Sequence, residues 1–421
     1  MDIVDASERL WRGEDLGQKT NPLFGAVAHV AEITTSVAFL PNFANCTAIA
    51  TDDGLVMVDT GSPLTASSVH EEIRTWCSLP LNTAIFSHGH IDHVFGVGAF
   101  EEEAIEKGWP APRVLAHAHV PRRFDRYVLT AGYNEVINQR QFAAPNLRWP
   151  HEYRYPDETY ERELDLVVGS SRLRLRHEKG ETDDATVTWI PEEKVLCSGD
   201  LFIWNSPNAG NPQKVQRYPL EWAQALRRMS ELEAEYLLPG HGLPIFGRER
   251  IQQALSETAE YLESLVEQTL ALMNQGARLA DVLASVRVPK HLSGRPYLQP
   301  YYDEPEFIVR NIWRLYGGWW DGNPANLRPA HERTLAAELA ELSGGASALC
   351  DRAEALMEDG SDEALRLAGH LAEMAWLASP LDSGVQAVRQ RVFGELAMRA
   401  TSTMSRGVFH WAERESTPEE H

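Results

Sequence analysis

Apolar residues follow two different patterns along this chain, and the pattern changes near residue 247. From residue 24 to about 245, short apolar runs of strand length alternate with helical stretches, and an Asp-Asp-Gly turn at 52–54 joins two such runs. The pattern predicts strands within 24–60 and over 83–87, 114–119, 164–169, 173–180, 185–191 and 194–200. It predicts helices over 66–77, 94–108 and 220–238. Alternating strands and helices indicate a layered α/β fold.

After residue 247 the spacing of apolar residues becomes helical. The intervals are three, four and seven residues, which is typical of an amphipathic helix, at Leu255, Leu262, Val266, Leu270 and Met273. A connector rich in Pro, Tyr and Gly follows at 288–306, and then Ala- and Leu-rich helices interrupted at Gly344–Gly345, Gly360 and Pro380. We therefore expect a first domain over 1–246, a helical connector over 247–300 and an all-α domain over 301–421.

Composition excludes several classes of function. The 421 residues include 61 acidic and 39 basic side chains, a net charge of −22, which repels nucleic acid backbones. No apolar run approaches the roughly 20 residues of a membrane-spanning helix, and the N-terminus lacks the pattern of a signal peptide. The four cysteines are widely separated, which indicates neither a disulfide framework nor a thiolate metal site. We expect a soluble cytoplasmic protein without nucleic acid or membrane partners.

The segment SHGHIDH at 87–93 carries the strongest chemical signal. It provides His88, His90, Asp92 and His93 directly after a predicted strand. Four such groups in one turn are costly to bury unless a metal ion or other partners satisfy them. Imidazole and carboxylate ligands suit zinc and similar divalent ions. The segment therefore predicts a metal site.

Further ligands are available downstream, each at a junction of strand and loop. Glu181 lies in the turn GETDD, Asp200 ends the strand VLCSGD, and His241 lies in PGHG. Asp59, in VDTG, is expected to support the histidines by hydrogen bonding. His177 is a weaker rival to Glu181 because it lies within a predicted strand. For His117 and His119, which end another predicted strand, a structural role is favoured.

Together, VMVDTG, HGHIDH, the SGD strand end and PGHG resemble the metallo-β-lactamase superfamily over roughly residues 45–245. The resemblance implies an αββα sandwich. Most members have a histidine where this chain has Glu181, and a glutamate followed 19 residues later by an acid resembles the alkylsulfatase branch. That branch usually has a second glutamate at the position of Asp200. The stretch WWDGNPANL and the helices after it resemble the alkylsulfatase dimerisation domain, which implies a homodimer.

The resemblance also implies the roles of individual residues. His88, His90 and Glu181 would hold one metal ion, a second ion would be held by Asp92, His93 and His241, and Asp200 would bridge the two. Asp92 and Asp200 would have catalytic roles as well. Two divalent ions, expected to be Zn²⁺, would share a bridging hydroxide that attacks the substrate. The implied reaction is hydrolysis of sulfate esters of alkyl or similar alcohols.

The loop after Asp200 offers donors for a small anionic ester: Asn205, Lys214 and Arg217. A metal-dependent hydrolase of a lactone, thioester or phosphoester is the alternative within the same chemistry. A di-iron redox protein on the same fold is a further alternative, but related redox proteins usually carry glutamate where this chain has His90. A non-catalytic scaffold is ranked last, because all seven candidate ligands are present.

Overall fold

The computed structural model describes residues 2–14 and 29–416. The beginning of the predicted β-rich region, residues 24–28, lies outside the described residues. The chain forms two compact units, of which one comprises Met1–Ala131 and Pro150–Gly318 and the other Gly132–Trp149 and Trp319–His421. The predicted division into 1–246, 247–300 and 301–421 stays a prediction.

The first unit contains a seven-stranded sheet in which the strands follow each other in sequence order. Its strands are β1 (Ala31–Glu32), β2 (Val37–Leu40), β3 (Cys46–Thr51), β4 (Gly54–Val58), β5 (Leu81–Ile85), β6 (Arg113–His117) and β7 (Glu158–Tyr160). From β4 to β7 the neighbours run parallel, so each connection must cross over the sheet. Helices form three of these crossovers: α2 (Ala66–Trp76), α3 (Val97–Lys107) and α4 (Val120–Leu129).

The second sheet has six strands, in the order β13-β12-β11-β10-β9-β8. They are β8 (Glu163–Val168), β9 (Ser171–Glu178), β10 (Ala185–Ile190), β11 (Val195–Ile203), β12 (Tyr236–His241) and β13 (Ile245–Phe246). Four more helices of the first unit belong to this part of the chain. Helix α6 (Pro219–Ser230) connects β11 to β12, and α7 (Arg248–Asn274), α8 (Leu279–Ser285) and α9 (Pro305–Gly317) follow β13. The N-terminal helix α1 (Ile3–Trp11) also belongs to this unit.

Three apolar clusters define the layers of the first unit. One cluster joins the two sheets, with Phe39 and Leu115 from the first and Leu173 from the second. Another cluster packs helices α2 and α3 on the outer face of the first sheet, and the largest packs α6, α7 and α9 on the second sheet. The order is helix, sheet, sheet, helix, which confirms the predicted αββα sandwich.

One helix prediction is wrong in its extent. The helix predicted over 220–238 ends at Ser230, and residues 236–238 begin strand β12 instead. Leu237 and Leu238 pair with β11 in the parallel ladder and are buried. A short apolar run fits either a helix or a strand, so spacing alone could not separate them. Between 120 and 160 the apolar pattern predicts no element, whereas the structure has α4, α5 (Ala131–Gln141) and β7 there.

The C-terminal segment of the second unit, which begins at Trp319, consists of helices and short connections. After the short helix α10 (Pro324–Leu327) come α11 (Glu332–Ser343), α12 (Ala346–Asp359), α13 (Asp362–Ala378), α14 (Ser383–Arg399) and α15 (Thr403–Glu415). The first three long helices are separated at the predicted glycines, of which Gly344 and Gly360 adopt left-handed φ angles of 95° and 75°. Glycine adopts this conformation without a steric penalty, so it ends a helix well. Alanine-rich faces of α11–α14 form the core of this unit.

Candidate metal centre

The seven candidate ligands come from four places in the two sheets, two in loops and two within strands. The cluster His88–His93 follows β5, Glu181 lies between β9 and β10, Asp200 lies within β11, and His241 is the last residue of β12. The structure brings them into two groups whose ligand atoms lie within 4.8 Å of one another: His88, His90, Glu181 and Asp200 in the first, and Asp92, His93 and His241 in the second.

In the first group, Glu181 faces both histidines with one oxygen. Its Oε2 lies 3.7 Å from His88 Nε2 and 3.5 Å from His90 Nδ1. The two histidine nitrogens are 2.8 Å apart. These side chains are all buried or nearly so, and a single ion could contact every one of these atoms.

In the second group, Asp92 faces both histidines. Its Oδ2 lies 3.7 Å from His93 Nε2 and 3.5 Å from His241 Nε2. With a side chain 20% exposed, Asp92 is more open than Glu181 at 3% and Asp200 at 9%. It is therefore the ligand carboxylate most accessible to an entering substrate.

Asp200 stands between the two groups. Its Oδ2 lies 3.6 Å from His88 Nε2 and 3.4 Å from His241 Nε2, and its Oδ1 lies 3.5 Å from His93 Nε2. The pairing of β11 with β12 is irregular on both sides of Gly199, and such irregularities redirect side chains near functional sites. A Cβ at Gly240 would lie 2.1 Å from Asp200 Oδ1, so the approach of the two strands requires glycine there.

These residues fit divalent metal ions. Two ligands about 2.1 Å from a tetrahedral ion are about 3.4 Å from each other, close to the 3.4–3.7 Å between the carboxylate oxygens and the histidine nitrogens of the site. Three buried atoms of the candidate ligands have no hydrogen-bond partner among the described residues: His93 Nε2, Glu181 Oε2 and Asp200 Oδ1. Buried polar atoms are normally satisfied, and ions at the centres of the two groups would satisfy these three.

Asp59 fixes the His88–His93 turn through three hydrogen bonds. Its Oδ1 accepts from the backbone N–H of Ser87 at 2.7 Å, and its Oδ2 accepts from Ser87 Oγ at 2.6 Å. Its Oδ2 also lies 2.7 Å from His93 Nδ1, which directs Nε2 of that ring toward Asp92 and Asp200. A carboxylate that orients a ligand histidine is the role expected for Asp59 from the sequence.

Glu181 is held by two residues from the loop after Asp200. Its Oε1 accepts from Asn208 Nδ2 and lies 2.9 Å from Arg217 Nη1, and Arg217 also donates to the backbone carbonyl of Glu181. Oε1 is thus occupied while Oε2 faces the histidines. Asn208 was not predicted, because a single asparagine in a polar loop carries no signal in the sequence.

Burial and neighbouring charges shift the pKa values of the ligands. Burial and the nearby His93 lower the pKa of His88 to about 3, so its imidazole is neutral and able to bind a cation. Burial raises the pKa of Glu181 to about 7, although Arg217 opposes this shift. For Asp200, burial is outweighed by His241 and His93, which hold its pKa well below the ordinary range.

The predicted substrate-binding residues occupy three different environments. Asn205 is buried, its Oδ1 accepts from the backbone of Tyr301 and Tyr302, and its Nδ2 donates to a backbone carbonyl, so this side chain supports the loop rather than a substrate. Arg217 contacts Glu181, as described above. Lys214 is half-buried, and its pKa is lowered to about 7 by burial and Arg217 while Asp92 and Glu181 oppose the shift, so it lies near both ligand groups.

Three further histidines form a cluster of their own. The rings of His117 and His177 stack with centroids 3.7 Å apart. His177 Nε2 and His119 Nδ1 each lie within hydrogen-bond distance of the backbone carbonyl of Asp183, at 3.0 and 2.9 Å. The ligand group contains Glu181 and not His177. The structure therefore gives these histidines packing and hydrogen-bonding roles.

Comparison with known proteins agrees with this architecture. The family description for the metallo-beta-lactamase superfamily matches residues 40–241, and that for alkyl sulfatase dimerisation matches residues 278–418. Residues 40–241 are therefore similar to the metallo-β-lactamase superfamily. The second matched domain makes the chain most similar to the alkylsulfatase branch of that superfamily.

Individual relatives are similar at modest identity. A linear primary-alkylsulfatase from Pseudomonas sp. is 28% identical over 319 residues, which cover 70% of this chain and 60% of that protein. An (R)-specific secondary-alkylsulfatase from Pseudomonas sp. is 25% identical over 406 residues, or 87% of this chain and 59% of that protein. The chain thus spans about three fifths of the length of these curated relatives.

The same architecture occurs in a solved structure. The stereoselective inverting sec-alkylsulfatase from Pseudomonas sp. superposes with a TM-score of 0.85 at 21% identity, covering 98% of this chain and 71% of that one. This likeness establishes the fold. Within residues 2–14 and 29–416, no helix combines the length and the apolar character needed to cross a membrane.

Proposed function

We propose that this protein is a binuclear metal-dependent hydrolase that cleaves sulfate esters of alkyl or similar alcohols. The observation that carries the proposal is the convergence of all seven candidate ligands into two adjacent groups joined by Asp200. Several curated relatives are alkylsulfatases, which supports a sulfate ester as the substrate.

The donor set supports two divalent ions, and we propose zinc because its ligands are commonly imidazole and carboxylate. The first ion would be held by His88, His90 and Glu181, the second by Asp92, His93 and His241, with Asp200 shared. When bound, such ions supply Lewis acidity toward a substrate oxygen and lower the pKa of water.

The residues around the ligands would orient this chemistry. Asp59 holds His93 in one orientation, and Asn208 with Arg217 leaves one oxygen of Glu181 for the metal site. We assign Lys214 to the sulfate group of the substrate, because the carboxylates of Asp92 and Glu181 both act on its pKa and it therefore lies beside the two ligand groups. Asp92, the most exposed carboxylate ligand, would face the incoming ester.

We also propose that the chain forms a homodimer through its second unit. The match to alkyl sulfatase dimerisation over residues 278–418 supports this proposal. Helix α11 presents three leucines to solvent along one face, Leu335 at 46%, Leu339 at 39% and Leu342 at 76% exposure. Apolar residues aligned in this way are typical of a surface that another protein covers.

The function is tested by metal content and product release on purified protein. Mass spectrometry should find about two divalent ions per chain, and an alkyl sulfate should release sulfate. The Glu181→Gln variant should lose on the order of 100-fold or more of this activity, because a ligand carboxylate is removed. Glu192→Gln, which changes an exposed acid in the same way, should retain it.

Other outcomes would overturn specific parts of the proposal. Two bound ions with hydrolysis confined to lactones, thioesters or phosphoesters would overturn the sulfate ester assignment and keep the metal site. Stoichiometric iron without hydrolysis of any of these substrates would overturn the assignment as a hydrolase.

A further inference from the structure

A buried ion pair lies beside the metal centre, outside the ligand set and its supports. Arg123, on α4, places Nε 2.6 Å from Asp184 Oδ2 and Nη2 2.9 Å from Asp184 Oδ1. The side chains are 3% and 0% exposed. Although burial opposes it, Arg123 holds the pKa of Asp184 well below its ordinary range, so both groups are charged. Two charges this deeply buried require a close partner on each side, which the bidentate geometry provides.

This pair contacts the backbone between two candidate ligands. The N–H of Gly89, which lies between His88 and His90, donates to Asp184 Oδ2 at 3.2 Å. A Cβ at Gly89 would lie 2.9 Å from Arg123 Cδ and 3.1 Å from Asp184 Oδ2. The ion pair and the turn are therefore packed without room for a larger residue.

The contact complements the one made by Asp59. Asp59 binds the turn at its two ends, through Ser87 and His93, and it comes from the first sheet. Asp184 binds the middle of the same turn and directly precedes β10 of the second sheet. The second sheet also carries Glu181, so the contact of Asp184 with Gly89 sets the position of His88 and His90 relative to a ligand from the other sheet.

We propose that Arg123 and Asp184 are positioning residues for the metal centre, which fix the backbone at Gly89 so that His88 and His90 both face Glu181. Arg123 acts through Asp184, because it keeps the buried carboxylate charged and oriented. The proposal rests on the proposed function insofar as the site binds a divalent ion, and it is independent of the substrate.

The test is the affinity of metal-depleted protein for zinc, measured by competition with a chromogenic chelator. Asp184→Asn should weaken zinc binding about 10- to 100-fold, the usual effect of losing a residue that orients a ligand. It should also speed amide hydrogen exchange at Gly89 in the metal-free protein. Arg126→Gln is the matched control, since it removes a positive charge from the same helix without contacting Asp184, and it should change neither quantity.

A double variant separates positioning from simple structural support. Replacing both charges, with Arg123→Met and Asp184→Leu, removes the buried ion pair without leaving a buried unpaired charge, which proteins often tolerate. Asp183, which also accepts from Arg123 at 2.6 Å, is 37% exposed and can be solvated. We expect the melting temperature of the double variant in chelator to lie near that of the wild type while zinc binding stays weak, because Gly89 still lacks its acceptor. Zinc affinity that recovers together with stability would overturn the proposal, as would unchanged affinity in Asp184→Asn.

The two proposals fail in distinguishable ways. If the wild type binds zinc but hydrolyses no sulfate ester, the proposed function fails and the zinc affinities still test the positioning pair. If the wild type binds no divalent ion, hydrogen exchange at Gly89 decides: an unchanged rate in Asp184→Asn refutes the positioning contact, and a faster rate supports it.

Discussion

Replacing Arg217 with methionine should destabilise the metal-free protein strongly. Arg217 Nη1 lies 2.9 Å from Glu181 Oε1, and both side chains are only 3% exposed. Methionine retains an apolar stem but leaves the carboxylate of Glu181 buried without its cation. Breaking a buried ion pair on one side costs about 3–5 kcal/mol, so we expect a loss of that size in the free energy of unfolding.

The loss should depend on metal and on pH. A bound divalent ion offers Glu181 another positive charge through Oε2, so the metal-loaded variant should lose only about 1–2 kcal/mol, for the hydrogen bonds of Arg217. In the metal-free protein, burial already raises the pKa of Glu181 to about 7, and removing Arg217 should raise it further. When the folded state raises the pKa of a carboxyl group, the free energy of unfolding falls as the pH rises toward that pKa. The variant should therefore be less stable at pH 9 than at pH 6.

The assay is urea unfolding followed by tryptophan fluorescence, with chelator and with zinc. Lys194→Met is the control, because it breaks an exposed pair with Glu235 at 2.6 Å whose side chains are 47% and 45% exposed. That control should leave the free energy of unfolding nearly unchanged in both conditions, because water solvates both charges. The reasoning is refuted if Arg217→Met costs no more than the control in chelator, or if its loss is equal with and without zinc.

Three further predictions concern other parts of the chain. Burial raises the pKa of Asp303 to about 8, well above the ~3.9 of an unfolded aspartate, so the free energy of unfolding should fall as the pH rises from about 4 to 8. In urea unfolding at several pH values, the free energy of unfolding should vary less with pH for Asp303→Asn than for the wild type. Equal variation in the two proteins would contradict a raised pKa of the buried Asp303. Gly240→Ala should displace Asp200, since the new Cβ would lie 2.1 Å from Oδ1, and mass spectrometry should find less bound metal; full occupancy would count against this packing. Leu339→Lys should convert the proposed dimer to a monomer in light scattering, whereas an unchanged mass would exclude the exposed face of α11 as the interface.

The candidate metal centre could be read from the sequence because its ligands carry a strong local signal. His88, His90, Asp92 and His93 are four polar groups in one short turn after a strand, and few structural roles explain such a cluster. Glu181 is recognisable only by its place in a turn between strands. The layered fold was likewise predictable, because alternating strand and helix patterns allow few architectures.

Apart from Asp59, the residues that orient the candidate ligands were not predictable in the same way. The burial of Arg123 on α4 was not predictable, because a sequence with several arginines indicates a surface rather than a core position. Asn205 was expected at the substrate but binds the backbone of residues 301–302, a contact across almost one hundred positions of the chain that no local pattern encodes. Partners of this kind depend on tertiary packing.

The candidate ligands come from both sheets, so their geometry depends on how the sheets are joined at this point. Beyond the apolar core between them, direct backbone contacts link the sheets beside the site: the N–H of Thr186 donates to the carbonyl of Ser87 at 2.6 Å, and the N–H of Asn45 donates to that of Gly240 at 2.8 Å. An ion bound by His88 and Glu181 would add another link between the same sheets. An ion that binds only the folded state stabilises that state, so metal binding at this position should strengthen the packing of the two sheets. By the same linkage, a variant with weaker packing between the sheets should bind the metal with lower affinity.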